Sequence, residues 1–253
     1  MPRQARKQSQ SGIYHLIIRG INKQVIFEEE EDREKFMWCL QYYKEVSQYT
    51  IYGYCLMDNQ VHLLIKEGKE LISKAMKRIG VSYVSWFNRK YGRCGHLFQD
   101  RFKSEAVETD EYFLMVLRYI HQNPIITGES QKMETYQWGS YREYLEKIRL
   151  IDTEFALGIF SPEADVALGM FKRFMNEKTE DNSIKIHGTY RLTDQEAKLA
   201  IQKIAEVTIP TEIQTIEKEK RNELLRQIKK IDGLSTRQIA RLTGITQSVI
   251  VRV

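Results

Sequence analysis

Two strand-forming runs separated by only two residues constrain this chain most. Thr50–Met57 and Gln60–Lys66 flank Asp58-Asn59, a tight-turn pair, and so read as one antiparallel hairpin. Ile13–Arg19 reads as a largely buried strand before them, and Arg101–Val107 as a fourth strand after them. Between strands the period changes to that of a helix. Glu28–Tyr49 opens with acidic residues and repeats Phe36, Leu40, Tyr43 and then Val46 or Ser47; Leu71–Tyr91 puts Ile72, Ala75, Met76, Ile79, Val84 and Phe87 on its apolar side before Gly92, Cys94 and Gly95 stop it. The order β-α-β-β-α-β predicts an α+β, ferredoxin-like antiparallel sheet with strands one and three central, so that His15 lies beside the Gln60/His62 edge. Both helices cover one face, which leaves the other to be used or covered by something else.

Alternation along the third strand sends Gln60 and His62 to one face and Val61 and Leu63 to the other, so two potential metal ligands point the same way. After the fourth strand, Thr109 is placed to cap a helix whose first turn holds Asp110 and Glu111. Phe113, Val116, Leu117 and Ile120 form its core stripe, while Tyr112, Met115, Tyr119 and Asn123 lie on a neighbouring one. Tyr119 and Asn123, at i and i+4, project together, whereas His121 points away from Tyr119. Spacing alone makes Tyr119 an ordinary half-buried tyrosine.

A longer series of segments changes that reading. Gly12-Ile13-Tyr14-His15, Arg19-Gly20-Ile21-Asn22, Tyr54–Asn59, Gly95–Ser104, Tyr119-Ile120-His121-Gln122-Asn123-Pro124 and Trp138-Gly139-Ser140-Tyr141 occur in this order. Together they resemble the single-tyrosine HUH transposases, and within these the REP-associated tyrosine transposases. The resemblance implies an HUH endonuclease core in which Tyr119 is the nucleophile, forming a 5′-phosphotyrosine link and a free 3′-OH. It also implies a Mg²⁺ or Mn²⁺ ion held by His62, Asn123 and, if an amide can substitute, Gln60. The substitution matters because the family reads His-hydrophobic-His where this chain reads Gln60-Val61-His62. Two functions follow: a metal-dependent DNA strand transferase acting on single-stranded or REP-like hairpin DNA, and a catalytically impaired, sequence-specific DNA-binding protein. An RNA-binding module of ferredoxin-like fold is disfavoured, because the aromatic pairs expected on its central strands are absent from Ile13–Arg19 and Gln60–Lys66.

Charge is uneven along the chain. Residues 1–150 carry 23 basic and 19 acidic side chains, residues 151–182 carry 3 and 7, and residues 183–253 carry 13 and 8. Two basic blocks flanking an acidic stretch favour phosphate-rich partners. The expected division is a catalytic domain over 1–150, a connector with a short helix near Pro162–Asn176 over 151–185, and a helical DNA-binding domain over 186–253. Cys39, Cys55 and Cys94 make neither a disulfide framework nor a zinc knuckle. No run of 18 apolar residues and no apolar leader is present, so a cytoplasmic protein without a membrane partner is expected, as a monomer or homodimer.

Three capping boxes, Thr193-x-x-Glu196, Thr211-x-x-Gln214 and Ser235-x-x-Gln238, announce helices in the last block. Ser235–Leu242, a turn at Thr243-Gly244-Ile245 and a helix from Thr246 resemble a DNA-binding helix-turn-helix. The expected DNA contacts are Arg19, Arg89, Lys90, Arg101, Lys103 and Arg118 in the first domain, with Arg237 and Gln247 in the last. Tyr83, Trp86, Phe87, Arg89, Lys90 and Tyr91 interleave aromatics with cations, which suits either a grip on a single strand or a core with a solvated face.

Overall fold

A computed structural model describes residues 8–146, 149–177, 194–231 and 234–253. The chain divides into two compact units, 1–184 and 185–253. The first unit runs β1 (Ile13–Arg19), α1 (Glu30–Ser47), β2 (Thr50–Met57), β3 (Gln60–Lys66), α2 (Ile72–Lys90), β4 (Lys103–Ala106) and α3 (Asp110–Ile126), then α4 (Tyr141–Leu145), α5 (Glu154–Gly158) and α6 (Ala164–Asn176). Its sheet is antiparallel with order β2-β3-β1-β4, the ferredoxin-like arrangement, with β1 and β3 central.

Register decides which residues share a face. Arg19 pairs with Gln60, Ile17 with His62 and His15 with Leu64, while Cys55 and Met57 pair with His62 and Gln60 from the other side. These residues therefore share one face of the sheet. A bulge between Ile51 and Gly53 shifts the register at the far end of β2. The other face carries Leu16, Ile18, Val61, Leu63 and Ile65, all buried, and both crossover helices cover it. α1 and α2 meet through Phe36 and Tyr83, whose rings lie edge to face at 5.1 Å. On α1 it is Ser47, not Val46, that turns inward.

α3 packs on the histidine face, chiefly against β2. Gly53 makes this approach possible, since a Cβ there would lie 2.6 Å from Leu117 Cδ1. Thr109 caps α3 by accepting from the Tyr112 N–H at 3.2 Å. Phe113, Val116, Leu117 and Ile120 are buried as the period requires. The segment after α3 covers the free edge of β2: Leu56 N–H donates to Trp138 O, and Ser140 N–H donates to Tyr54 O.

The fourth strand is shorter than Arg101–Val107, because pairing with β1 extends only over Lys103–Ala106. The described part of the stretch expected as a connector packs onto the first unit: Phe171 of α6 is fully buried and stacks on Tyr144 at 4.4 Å. The rest of that stretch, from residue 178 on, and Thr193 of the first capping box lie outside the described residues.

The second unit comprises α7 (Asp194–Ala205), a 3-10 turn at Pro210–Thr215, α8 (Lys218–Lys229), α9 (Thr236–Thr243) and α10 (Gln247–Arg252) around Ile201, Ile213, Leu225, Ile228, Ile239 and Ile250. Ser235 caps α9 by accepting from Gln238 N–H at 3.2 Å. Gly244 ends α9 with φ +73°, where a Cβ would also collide with the Gln214 side chain. The Thr211 box does not form. Pro210 opens a 3-10 turn with Ile209 as its cap, and Gln214 reaches away to donate to Thr243 O at 2.8 Å. α8, which no capping signal announces, supplies Leu225 and Ile228 to this core.

Candidate active site

Three rings from three elements converge on the face beneath α3. His15 Nε2 lies 3.1 Å from His62 Nδ1, and their ring centres are 5.4 Å apart. Tyr119 presents an edge-on ring to both, 6.0 Å from His15 and 5.6 Å from His62. The histidines are buried, whereas Tyr119 is half-buried and keeps access to solvent.

Burial lowers the His15 pKa to about 3 and holds His62 well below the usual imidazole range, with His15 and Arg19 adding to the effect on His62. Both rings are therefore neutral near pH 7. Two neutral imidazoles sharing one proton admit two arrangements, and when His62 Nδ1–H donates to His15 Nε2, the lone pair of His62 Nε2 is left bare. That nitrogen, His15 Nδ1 and the amide nitrogen of Asn123 are all buried without a hydrogen-bond partner. Asn123 lies one turn beyond Tyr119, in the last turn of α3, where Pro124 lacks the N–H needed to carry the helix far.

Gln60 does not offer its oxygen to this cluster. Its Oε1 accepts from Arg19 Nε–H at 3.2 Å, and its amide nitrogen contacts Met57 Sδ at 3.4 Å. The Arg19–Gln60 pair is a direct cross-strand neighbour pair on the histidine face, so the register predicts it once the β1/β3 alignment is known. Arg19, expected at the DNA, and Gln60, expected at the metal, are thus bonded to each other.

The other expected DNA contacts separate clearly. Arg89, Arg101, Lys103, Arg237 and Gln247 are exposed. Arg118 is not available in this way, because its guanidinium lies 4.2 Å over the Phe174 ring and pairs with Glu177 at 3.1 Å. Adjacent helix residues point about 100° apart, so Tyr119 facing the histidines turns Arg118 towards α6. Lys90 is likewise engaged, by Glu29, Glu31 and Asp32 at 2.7–3.0 Å, where it anchors the start of α1. Tyr83 and Phe87 are core. His121 is buried with Nε2 2.9 Å from Ser140 Oγ, a structural role.

Residues 8–123 match the family model described as "Transposase IS200 like". This stretch, somewhat under half of the chain, is similar to the IS200-like transposases. It contains β1 through most of α3, including His15, Gln60, His62, Tyr119 and Asn123. Among solved structures, the chain is similar to one described as the REP-associated tyrosine transposase bound to a REP hairpin. The match has a TM-score of 0.50 and 15% identity, over 58% of this chain and 87% of the other. At that identity it shows a shared fold. No curated protein matches. No helix among the described residues is long and apolar enough to cross a membrane.

Proposed function

We propose that this chain is a DNA strand-cleaving and strand-transferring enzyme of the cytoplasm, with Tyr119 as its nucleophile and single-stranded or hairpin DNA as its substrate. The observation that carries the proposal is the placement of Tyr119, solvent-accessible, against two buried neutral histidines in a domain similar to the IS200-like transposases. Attack by Tyr119 Oη forms the tyrosyl O–P bond and breaks the P–O3′ bond, leaving a 5′-phosphotyrosine and a 3′-OH. The phenolic proton passes to the imidazole pair or to water, and the departing 3′ oxygen takes one up. Arg19, held in place by Gln60, supplies positive charge on the same face for the phosphate.

The Mg²⁺ or Mn²⁺ ion implied by the family resemblance fits only in part. His62 Nε2, orphaned and neutral, suits a metal, whereas the unpartnered atom of Asn123 is its amide nitrogen, a donor that does not ligate a cation. Gln60 does not suit it, since its one oxygen faces a guanidinium. Among the described residues no three His, Cys, Asp or Glu side chains converge to replace it. The three expected ligands thus do not form a cation site as arranged, and no step above depends on one.

That same contact favours a second reading, a protein that holds DNA without cutting it. In either case the exposed Arg237 and Gln247 of the helix-turn-helix are proposed DNA contacts. Incubation with hairpin DNA, with Mn²⁺ and separately with a chelator, followed by a denaturing gel, separates the readings. A covalent adduct is expected; persistent absence of one under both conditions, with binding retained, selects the non-cleaving protein.

A further inference from the structure

α2 carries a charge pattern that its own stability does not explain. Over Ile72–Lys90 it holds Lys74, Lys77, Arg78, Arg89 and Lys90 and no Asp or Glu. Lys74 sits in the first turn, at the positive end of the helix dipole, where a cation is unfavourable. Lys77 and Arg78 follow it at i+3 and i+4, spacings at which like charges destabilise a helix. Arg78 is answered by Glu70, and Lys90 by the carboxylates at the start of α1. Lys74, Lys77 and Arg89 stay exposed.

These three, with Arg78, line a groove between α1 and α2 of about 760 Å³, and Lys35, Tyr43 and Trp86 complete its walls with no carboxylate among the lining residues. Beside it Trp38, 50% exposed, stacks on Tyr42 at 5.1 Å, and the Lys35 ammonium lies 3.7 Å from the Trp38 ring centre. From Lys74 to Arg89 the cationic wall runs roughly 22 Å along the helix at 1.5 Å per residue.

We infer that this groove binds an unpaired strand of the DNA substrate, on the sheet face opposite Tyr119. A row of cations tracks a phosphodiester backbone, and accessible aromatic rings give bases a surface to stack on without regard to sequence. The inference takes from the proposed function only that the substrate is DNA, and needs no chemistry at Tyr119.

The test uses the full chain and labelled hairpins with or without a single-stranded tail of about 15 nucleotides, within the range of known strand-binding sites. Binding is followed by fluorescence anisotropy across a salt series for the unaltered protein and for Lys74→Gln/Lys77→Gln, both at exposed positions lining the groove. The tail should raise the affinity of the unaltered protein about tenfold and steepen its salt dependence. The double variant should lose that gain and about 1.4 from the slope, roughly 0.7 per cation, while binding the tail-less hairpin as before. Equal thermal melts guard against a folding effect. A tail that adds nothing, or a variant that keeps the whole gain, overturns the inference, as does a variant that loses only its binding to phosphatidylserine vesicles. Absence of an adduct alongside an intact tail effect would instead sink the catalytic reading and leave the groove standing.

Discussion

The two faces of the sheet treat polar groups in opposite ways. Beneath α3, His15, His62 and Asn123 are buried with nitrogen atoms left unpartnered. Each such atom costs about 1–3 kcal/mol in a folded protein, an expense that packing alone gives no reason to keep. Across the sheet, the cations of α2 remain in water and cost little, but gain nothing from the helix that bears them. On the proposed reading the difference separates two tasks. Bond-making needs neutral, dry, fixed groups beside one accessible oxygen; holding a polyanion needs wet charges spread over a distance. Proton concentration should therefore perturb the first face, and salt the second.

The largest effect expected on the first face comes from Tyr119→Phe. It removes the proposed nucleophilic oxygen and little else, so adduct formation should vanish while DNA affinity stays within about threefold. An adduct on the Phe variant, located by peptide mapping, would assign the nucleophile to another residue.

Gln60→His comes next. It releases Arg19 from its acceptor and restores an imidazole at the position beside His62, so Mn²⁺-dependent cleavage should rise at least about 10-fold, the lower end of what altering an outer-shell partner typically does. Calorimetric titration of Mn²⁺ into both forms, with His62→Ala as control, measures the binding half of this change. Unchanged heats and unchanged cleavage would mean that this face works without a metal.

A smaller effect follows from the buried histidines. Burial puts the pKa of both His15 and His121 at about 3, against 6.5 for a free imidazole. The unfolded chain therefore binds more protons than the folded one between about pH 3 and 6.5, so stability rises with pH over that window and is lost as pH falls through it. The slope is at most about 1.4 kcal/mol per pH unit for each histidine. Denaturant midpoints at pH 7.5, 6.5 and 5.5 should decline, and His15→Gln should flatten the decline; a flat series for the unaltered protein would show that the rings take up protons while folded.

The smallest effect expected is that of Thr109→Ala. Losing the cap of α3 should cost about 1 kcal/mol, read as a lower denaturant midpoint, and loosen Tyr119 only through its helix. A loss of several kcal/mol would mean that Thr109 does more than cap.

How much could be read from the chain alone depended on whether the signal was local. The strands Ile13–Arg19, Thr50–Met57 and Gln60–Lys66 were legible because alternation and a two-residue turn act within a few residues, and α3 because a cap and a 3.6-residue stripe do the same. The Thr211 box misled because a capping pair is only permissive: Pro210 and the carbonyl of Thr243, 29 residues away from Gln214, decided where that glutamine went. α8 was missed because its start carries no side-chain cap.

The candidate site divides along the same line. The sequence by itself determined that Gln60 and His62 share a strand face and that Tyr119 and Asn123 share a helix face, since both follow from backbone periodicity. The order of elements also put His15 beside the Gln60/His62 edge; only the tertiary structure decided that Gln60 holds Arg19, and that Arg118 and Lys90 are spent on Glu177 and on the start of α1. Those partners lie tens of residues apart along the chain, and no periodicity couples them. Strand register and helix packing bring them together, so the same arginine or glutamine can be a ligand, a grip or a strut according to what the fold places within 3 to 4 Å.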